Sequence, residues 1–459
     1  MLNLLSAGSN AQGQLGNSTI DDSHTFRACS FAGSLPETLP PSVTNVIDVT
    51  NGSNHTLALL EVMIDGKKST EVWGCGDGRK GQLGPIYKRR HTDQGSTTIF
   101  QNLAFADAFD KLGLGGYTIT TIGTTWETSY LALQKLGKRD LIVSFGSNDF
   151  GDLGVGKDSG DKTVEKGLGI HVVNFSHIAV GGKSIRSAQS VTVEKLRTGQ
   201  RHAIASLQVV WAGKEPMQIL VGWGAFRHGQ LGTVPPSSKP FLTSTISKSS
   251  PTTPLEPTYH SRPTLIMSLA APSDFVTEYS LGIHHSVFLH ASGHVSFRGS
   301  NRKNQTQGLD ACRNICDIKC TWNGSYMLTK DNPPHVLSTG SNSHGQLGRA
   351  EDSSSWKVEV PIDEDSKAIR TLACGSEHSL VCVVNEQGDD EVWGWGWNEH
   401  GNLGVGHTLD APAPLKMWPP AQLPENIEPH PVRNVWAGTG SSWILCGNTD
   451  GTVEKTTSM

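Results

Sequence analysis

Along the chain, apolar and polar residues alternate in short runs that stop at glycine, and one two-part phrase returns seven times. Its first half is a strand pattern leading into a turn of the form Gly-x-Asn/Asp-x-x-Gly-Gln-Leu-Gly, at residues 4–16, 71–84, 141–154, 219–232, 294–309, 335–348 and 391–404, the copy at 294–309 being degenerate. Its second half is another alternating run carrying Gly-x-x-His, near residues 45–60, 119–133, 196–207, 275–289, 315–328, 369–383 and 432–445. A period of two with Gly and Asn at the joints predicts β-strands and tight turns throughout.

One such unit cannot bury both faces of its own small sheet, so neighbouring units must stack, and seven of them close into a ring that shares a core between blades. The predicted fold class is all-β, a seven-bladed β-propeller. In Gly8-Ser9-Asn10 and Gly340-Ser341-Asn342 the Gly and Asn are expected to take up the positive φ of the turn, and Leu15 and Leu347 to plug the space between blades. The propeller is expected over 1–447 as one domain, with a short flexible tail at 448–459. Residues 233–264, rich in Pro, Ser and Thr, are expected to form a mobile insertion, and the spacers 87–110 and 155–184 to form loops or extra hairpins over the rim.

Composition agrees with this pattern. The 459 residues include 51 Gly and 12 Trp with only 18% charged side chains, which suits many short strands better than helices. A net charge of −5 gives no global basic field, so direct nucleic-acid binding is not expected. No signal peptide and no long apolar span is legible, which predicts a soluble protein without membrane contact, cytoplasmic and able to enter the nucleus, with its eight cysteines reduced.

The repeated Gly-x-Asn-x-x-Gly-Gln-Leu-Gly and Gly-x-x-His-x-x-x-Leu phrases resemble the regulator-of-chromosome-condensation repeat family over nearly the whole chain. More narrowly, Trp393-Gly394-Trp395-Gly396 leading into Glu399-His400-Gly401-Asn402, the terminal block ending at Trp443-Ile444-Leu445, and Cys320-Thr321-Trp322 are similar to the fungal alpha-tubulin suppressor branch, known also from killer-toxin insensitivity. That resemblance implies a non-catalytic, protein-binding propeller that forms a heterodimer with a small zinc-binding, electron-donating protein of diphthamide biosynthesis. It implies support of diphthamide formation on elongation factor 2 and, through an indirect link to Elongator, of tRNA wobble uridine modification. The founding members of the family imply an alternative, a guanine-nucleotide exchange factor for a Ran-type small GTPase. The acidic balance and the absence of a Lys/Arg-rich tail speak against chromatin docking. A ubiquitin-ligase or trafficking adaptor is a third reading, since fold does not fix function.

Equivalent loops of a propeller gather round its axis on one face, so the Gly-x-x-His loops predict one surface. The recurring His55, His202, His285 and His378 read as scaffold, each bonding a neighbour's backbone. Trp126 and Trp322 break the repeat where no scaffold demands them, as the aromatic centre of an interface does. Glu127, Glu377 and Asn323 beside them are the candidate polar contacts to a basic partner, and His284 and His400 complete the predicted partner-binding set. Cys312, Cys316 and Cys320 lack the spacing of a zinc site, and strand alternation would put Cys316 and Cys320 on one face. The Gly-x-Gly runs lack a strand-to-helix context, so no nucleotide site is expected. No nucleophile, base and orienting group can be named together. The chain is therefore read as having no catalytic residues, no metal and no cofactor.

Overall fold

The computed structural model describes residues 2–85, 87, 95–156, 169–232, 258–350, 355–361, 367–385, 390–420 and 431–447. Among them, antiparallel sheets form the seven blades of a propeller. Each blade takes its two inner strands from the second half of one repeat copy and its next strand from the first half of the following copy. The first blade is built from Val43–Asn51, His55–Ile64, Lys67–Asp77 and Ser96–Asn102. The second runs from Thr118–Thr124 to His171–Val172, and the third from Ser190–Thr198 to Tyr259–Leu269. The fourth has three strands among the described residues, Val276–Leu281, His285–His290 and Val295–Gly299, and this is where the degenerate repeat copy falls. The fifth begins at Ile315–Cys320 and the sixth at Lys367–Cys374.

The seventh blade closes the ring. Val432–Ala437 and Ser441–Gly447 from one end of the repeat array join Leu2–Gly8 and Ser23–Ala28 from the other. Leu2–Gly8 pairs along its whole length with Ser441–Gly447, from Leu2 opposite Gly447 to Gly8 opposite Ser441. Leu15 is fully buried with Trp73, Phe100 and Trp443 between this blade and the first, the inter-blade plug its repeat position predicts.

Three expectations are corrected in detail. Gly8 and Gly340 do take positive φ, 115° and 129°, where a Cβ would lie 2.3 Å from a neighbouring carbonyl oxygen, but Asn10 and Asn342 do not. The asparagines act by side chain. Asn10 Oδ1 accepts from the Leu15 amide at 2.9 Å, and Asn148, Asn342 and Asn398 accept in the same way from Leu153, Leu347 and Leu403, so that each staples its turn shut.

The second correction concerns the cysteines. The innermost strand of every blade carries a bulge at an equivalent position, between Ile315 and Asp317 in the fifth blade. The extra residue there breaks alternation, so Cys316 faces solvent while Cys320 is buried. No group of three potential metal ligands occurs among the described residues.

The third concerns the insertion. Residues 233–257 lie outside the described residues, as does the tail 448–459, but 259–264 are not loop. They begin the outer strand of the third blade, pairing Gly224 with His260, and the His260 ring stacks on Phe226 at 3.9 Å between centroids. In the spacers, a short helix, Ala106–Lys111, and a hairpin of Ala179–Val180 with Lys183–Ser184 are described.

Candidate functional site

The Gly-x-x-His loops of all seven blades do meet on one face, and two tiers of backbone hydrogen bonds hold them. In the outer tier, the carbonyl of the residue before the His position accepts the amide that follows the repeat glycine. Asn54 accepts from Asp77, Glu127 from Ser147, Arg201 from Ala225, His284 from Ser300, Asn323 from Ser341, Glu377 from Trp397 and Gly440 from Ser9, all at 2.7–2.9 Å. In the inner tier, blade follows blade round the axis: Ser53 donates to Trp126, Trp126 to Gln200, Ile283 to Trp322, Trp322 to Ser376 and Ser376 to Gly438. Thr439 completes the turn by donating to Asn51 Oδ1 at 2.9 Å. The seam between Gln200 and Ile283 has no such bond among the described residues.

The histidines are scaffold, with one change from expectation. Three of them bond a neighbour's side chain, His55 Nε2 to Ser129, His285 to Ser325 and His378 to Ser442, at 3.0–3.1 Å, and His285 and His378 also meet the neighbour's backbone at Gly324 and Ser441. Ser129 and Ser325 in turn donate to the carbonyls of Gln82 and Gln305. Burial holds His55, His285 and His378 well below the ordinary imidazole range, at about 4. His202, at the same incomplete seam, has no partner for either ring nitrogen among the described residues.

Each of these rings needs a glycine three residues before it. A Cβ at Gly52, Gly199, Gly282 or Gly375 would come within 2.1–2.6 Å of the imidazole. The second and fifth blades change both positions together, to Thr125 with Thr128 and Thr321 with Gly324. In both, the residue after the threonine is the predicted tryptophan. Trp126 and Trp322, half-buried, reach each other over the axis with ring centroids 6.1 Å apart and planes at 44°. They help line an axial cavity of about 180 Å³, whose walls include Thr50, Thr124, Thr198, Ser280, Cys320 and Cys374.

The other predicted residues fall in the tier just outside this pair. Both carboxylate oxygens of Glu377 are taken by amides, from Asn323 at 2.8 Å and Gln346 at 2.9 Å, and burial raises its pKa. Glu377 and Asn323 therefore form one fixed unit linking the fifth and sixth blades. Glu127 is half-buried beside Trp126. His284 packs on His228, centroids 3.8 Å apart. His400 stands further out, its Nδ1 2.6 Å from Asp22 Oδ2 and its ring edge-on to Trp397.

Sequence reasoning missed Arg201, whose guanidinium lies 4.2 Å from the Phe150 centroid and 5.7 Å from that of Trp126. It missed also Arg227, His228, Arg302 and Lys303, which project from the Gly-Gln-Leu-Gly turns onto this face. Their signal in the sequence is the pair of variable positions that precede the Gly-Gln-Leu-Gly phrase, which equivalent turns bring to the same face.

The model of the regulator of chromosome condensation (RCC1) repeat matches residues 3–59, 335–382 and 389–445. Over these three segments the chain is similar to RCC1 repeats, and its fold is a seven-bladed β-propeller. An RCC1 repeat-containing protein of Schizosaccharomyces pombe is 23% identical over 412 residues, spanning 87% of this chain and 88% of that protein. The mouse secretion-regulating guanine nucleotide exchange factor is 26% identical over only 150 residues, 28% of this chain and 29% of its own length. Among solved structures, Prp20p of Saccharomyces cerevisiae, described with its binding to Gsp1p and histones, covers 97% of this chain and 91% of its own chain at TM-score 0.63 and 17% identity. Human WBSCR16 covers 97% and 99% at TM-score 0.61 and 16% identity. At these identities the structural likeness concerns the fold alone.

Proposed function

We propose that this RCC1-repeat propeller is a non-catalytic binding subunit that holds its partner on the tryptophan-bearing face. The observation behind this reading is the Trp126–Trp322 pair. Two blades give up the Gly and His of the scaffold at once, and both put a large aromatic over the axis, where it is half-buried with fixed polar neighbours. Aromatic anchors ringed by polar groups are how interface centres are built. The partner that the resemblance of the last blade suggests is the small zinc-binding protein of diphthamide biosynthesis, and the role is to support diphthamide formation on elongation factor 2 and Elongator-dependent wobble uridine modification. The site of action is the cytoplasm, with access to the nucleus.

A second reading, guanine-nucleotide exchange on a Ran-type GTPase, is favoured by the partial relative that bears that name and by the fold shared with Prp20p. One experiment separates them. The full chain and its Trp322→Ala variant are immobilised, offered the zinc protein, and assayed in parallel for release of labelled GDP from a Ran-type GTPase. Capture of the zinc protein by the wild type, lost in the variant and without GDP release, supports the first reading. Accelerated GDP release without capture supports the second.

A further inference from the structure

Positive charge is clustered on one part of this face. Arg227 and His228, from one Gly-Gln-Leu-Gly turn, meet Arg302 and Lys303 from the next across His284, and Arg201 lies between them and Trp126. Arg227, Arg302 and Lys303 are exposed, and none of the three, nor Arg201, has an ion-pair partner among the described residues. Several cations elsewhere are ion-paired: Lys195 and Arg197 share Glu278, Lys319 holds Asp317, and Lys416 holds Glu391. Burial and the neighbouring guanidiniums depress the pKa of His228, and burial, His228 and Arg302 depress that of His284, so positive charge is concentrated here, with Asp152 in electrostatic reach of Arg201 and Glu377 of Lys303. Carboxylates border this sector, with Glu127 beside Trp126 and Glu377 within electrostatic reach of Lys303, while Glu399, Asp410 and Asp22 lie further round.

We propose that the sector formed by Arg201, Arg227, His228, His284, Arg302 and Lys303 seats an Asp/Glu-rich segment of the partner protein, beside the apolar contact that Trp126 and Trp322 provide. This rests on the preceding reading that the face binds protein, and it adds what the bound segment must be made of. Exposed guanidiniums without partners offer forked donors that match a carboxylate in geometry. A protein segment fits better than a nucleic acid. A polyphosphate needs a continuous basic track, whereas here the positive sector is short, carboxylates border it, and the net charge is −5. The chain's own segment 233–257 is a poor occupant, carrying one carboxylate, Glu256, against Lys239 and Lys248.

The test is fluorescence anisotropy of a labelled Asp/Glu-rich peptide, and separately of a labelled RNA oligonucleotide, with the full chain at low ionic strength. The two protein variants are Arg227→Glu/Arg302→Glu and Lys138→Glu/Lys214→Glu, the latter changing charge equally on exposed loops at the far ends of the blade strands. Melting curves check that both remain folded. The first variant should lose at least about tenfold in peptide affinity and the second should keep it, because only the first removes charge-assisted hydrogen bonds to the peptide carboxylates. Equal loss in both, no binding by the wild type, or tighter binding of RNA with the same dependence on Arg227 and Arg302 would overturn the proposal. The zinc-protein capture assay is read independently. Retained capture by Trp322→Ala removes the tryptophan-face reading, while peptide binding that ignores Arg227 and Arg302 removes only this one.

Discussion

Trp126 and Trp322 come from blades three apart in the ring and still meet, 6.1 Å between centroids, because each sits at the axis-facing corner of its loop. Each also belongs to the inner ring of hydrogen bonds through its backbone, so the loop is held whether or not the indole is present. Trp322→Ala should therefore weaken partner binding by about 2 kcal/mol, roughly 30-fold, as expected for a central anchor. The melting temperature should change little. A double-mutant cycle with Trp126→Ala, read by calorimetric titration, should show coupling between the two. Strict additivity would mean that the rings serve the partner separately.

The serine that receives each histidine gives a stability contrast within one molecule. Ser129 donates to the Gln82 carbonyl at 2.7 Å, which leaves His55 Nε2 as the donor in their 3.0 Å bond. Ser129→Ala strips a buried ring nitrogen and a buried carbonyl of their partner together and should cost about 1–3 kcal/mol in urea unfolding. Ser286 holds the same place at the seam where His202 is unpartnered, and donates only to Gln230 at 3.0 Å. Ser286→Ala should cost less. Equal midpoint shifts would contradict the view that the histidine bond makes the difference.

Acid should weaken the fold, and the sign follows from which state holds more protons. His55, His285 and His378 are held near 4 and His202 near 3 by burial, against about 6.5 when unfolded. Between those values the unfolded chain binds more protons, so stability present above pH 6.5 is lost as pH falls towards 4. Asp48 and Asp152 act oppositely. Burial lifts both to about 6, so below that pH the folded state is the better proton binder and gains. Four histidines with larger displacements outweigh two carboxylates, so the net expectation is a loss of several kcal/mol between pH 7 and 5, measured as a falling urea midpoint. His378→Gln should reduce that slope. A flat profile would place these imidazoles in contact with water.

The repeat made the propeller and its face legible because each blade solves the same packing problem with the same residues. Seven copies of one phrase fix blade number, the inter-blade plug at Leu15 and the gathering of the Gly-x-x-His loops without any coordinates. The departures Trp126 and Trp322 stood out for the same reason. Features that depend on two distant stretches were not legible. The bulge that turns Cys316 outward is a property of strand pairing, not of alternation along one strand. Glu377 looked like a free carboxylate because Asn323 and Gln346, which occupy it, come from another blade. Strand Tyr259–Leu269 hid behind its proline and threonine content, since an outer strand needs one buried edge and little apolar surface.

The closing blade carries the sharpest stability prediction. Leu2–Gly8 is an interior strand there, paired on one side with Ser441–Gly447 and on the other with Ser23–Ala28. Its Leu5 and Ala7 are fully buried with Ile444 and Cys446 against the sixth blade, while Leu4 faces the first with Leu15 and Trp443. Removing residues 2–8 would thus unpair two strands, open hydrophobic contacts towards both neighbours and expose a long sheet edge of the kind that templates aggregation. Loss of the cooperative melt and a shift to aggregates in size-exclusion chromatography are expected. The milder Leu5→Ala removes buried side-chain volume without touching the pairing and should cost about 2–5 kcal/mol while leaving a monodisperse, folded ring. If the deletion melted like the wild type, the ring would be closed by contacts other than this strand exchange.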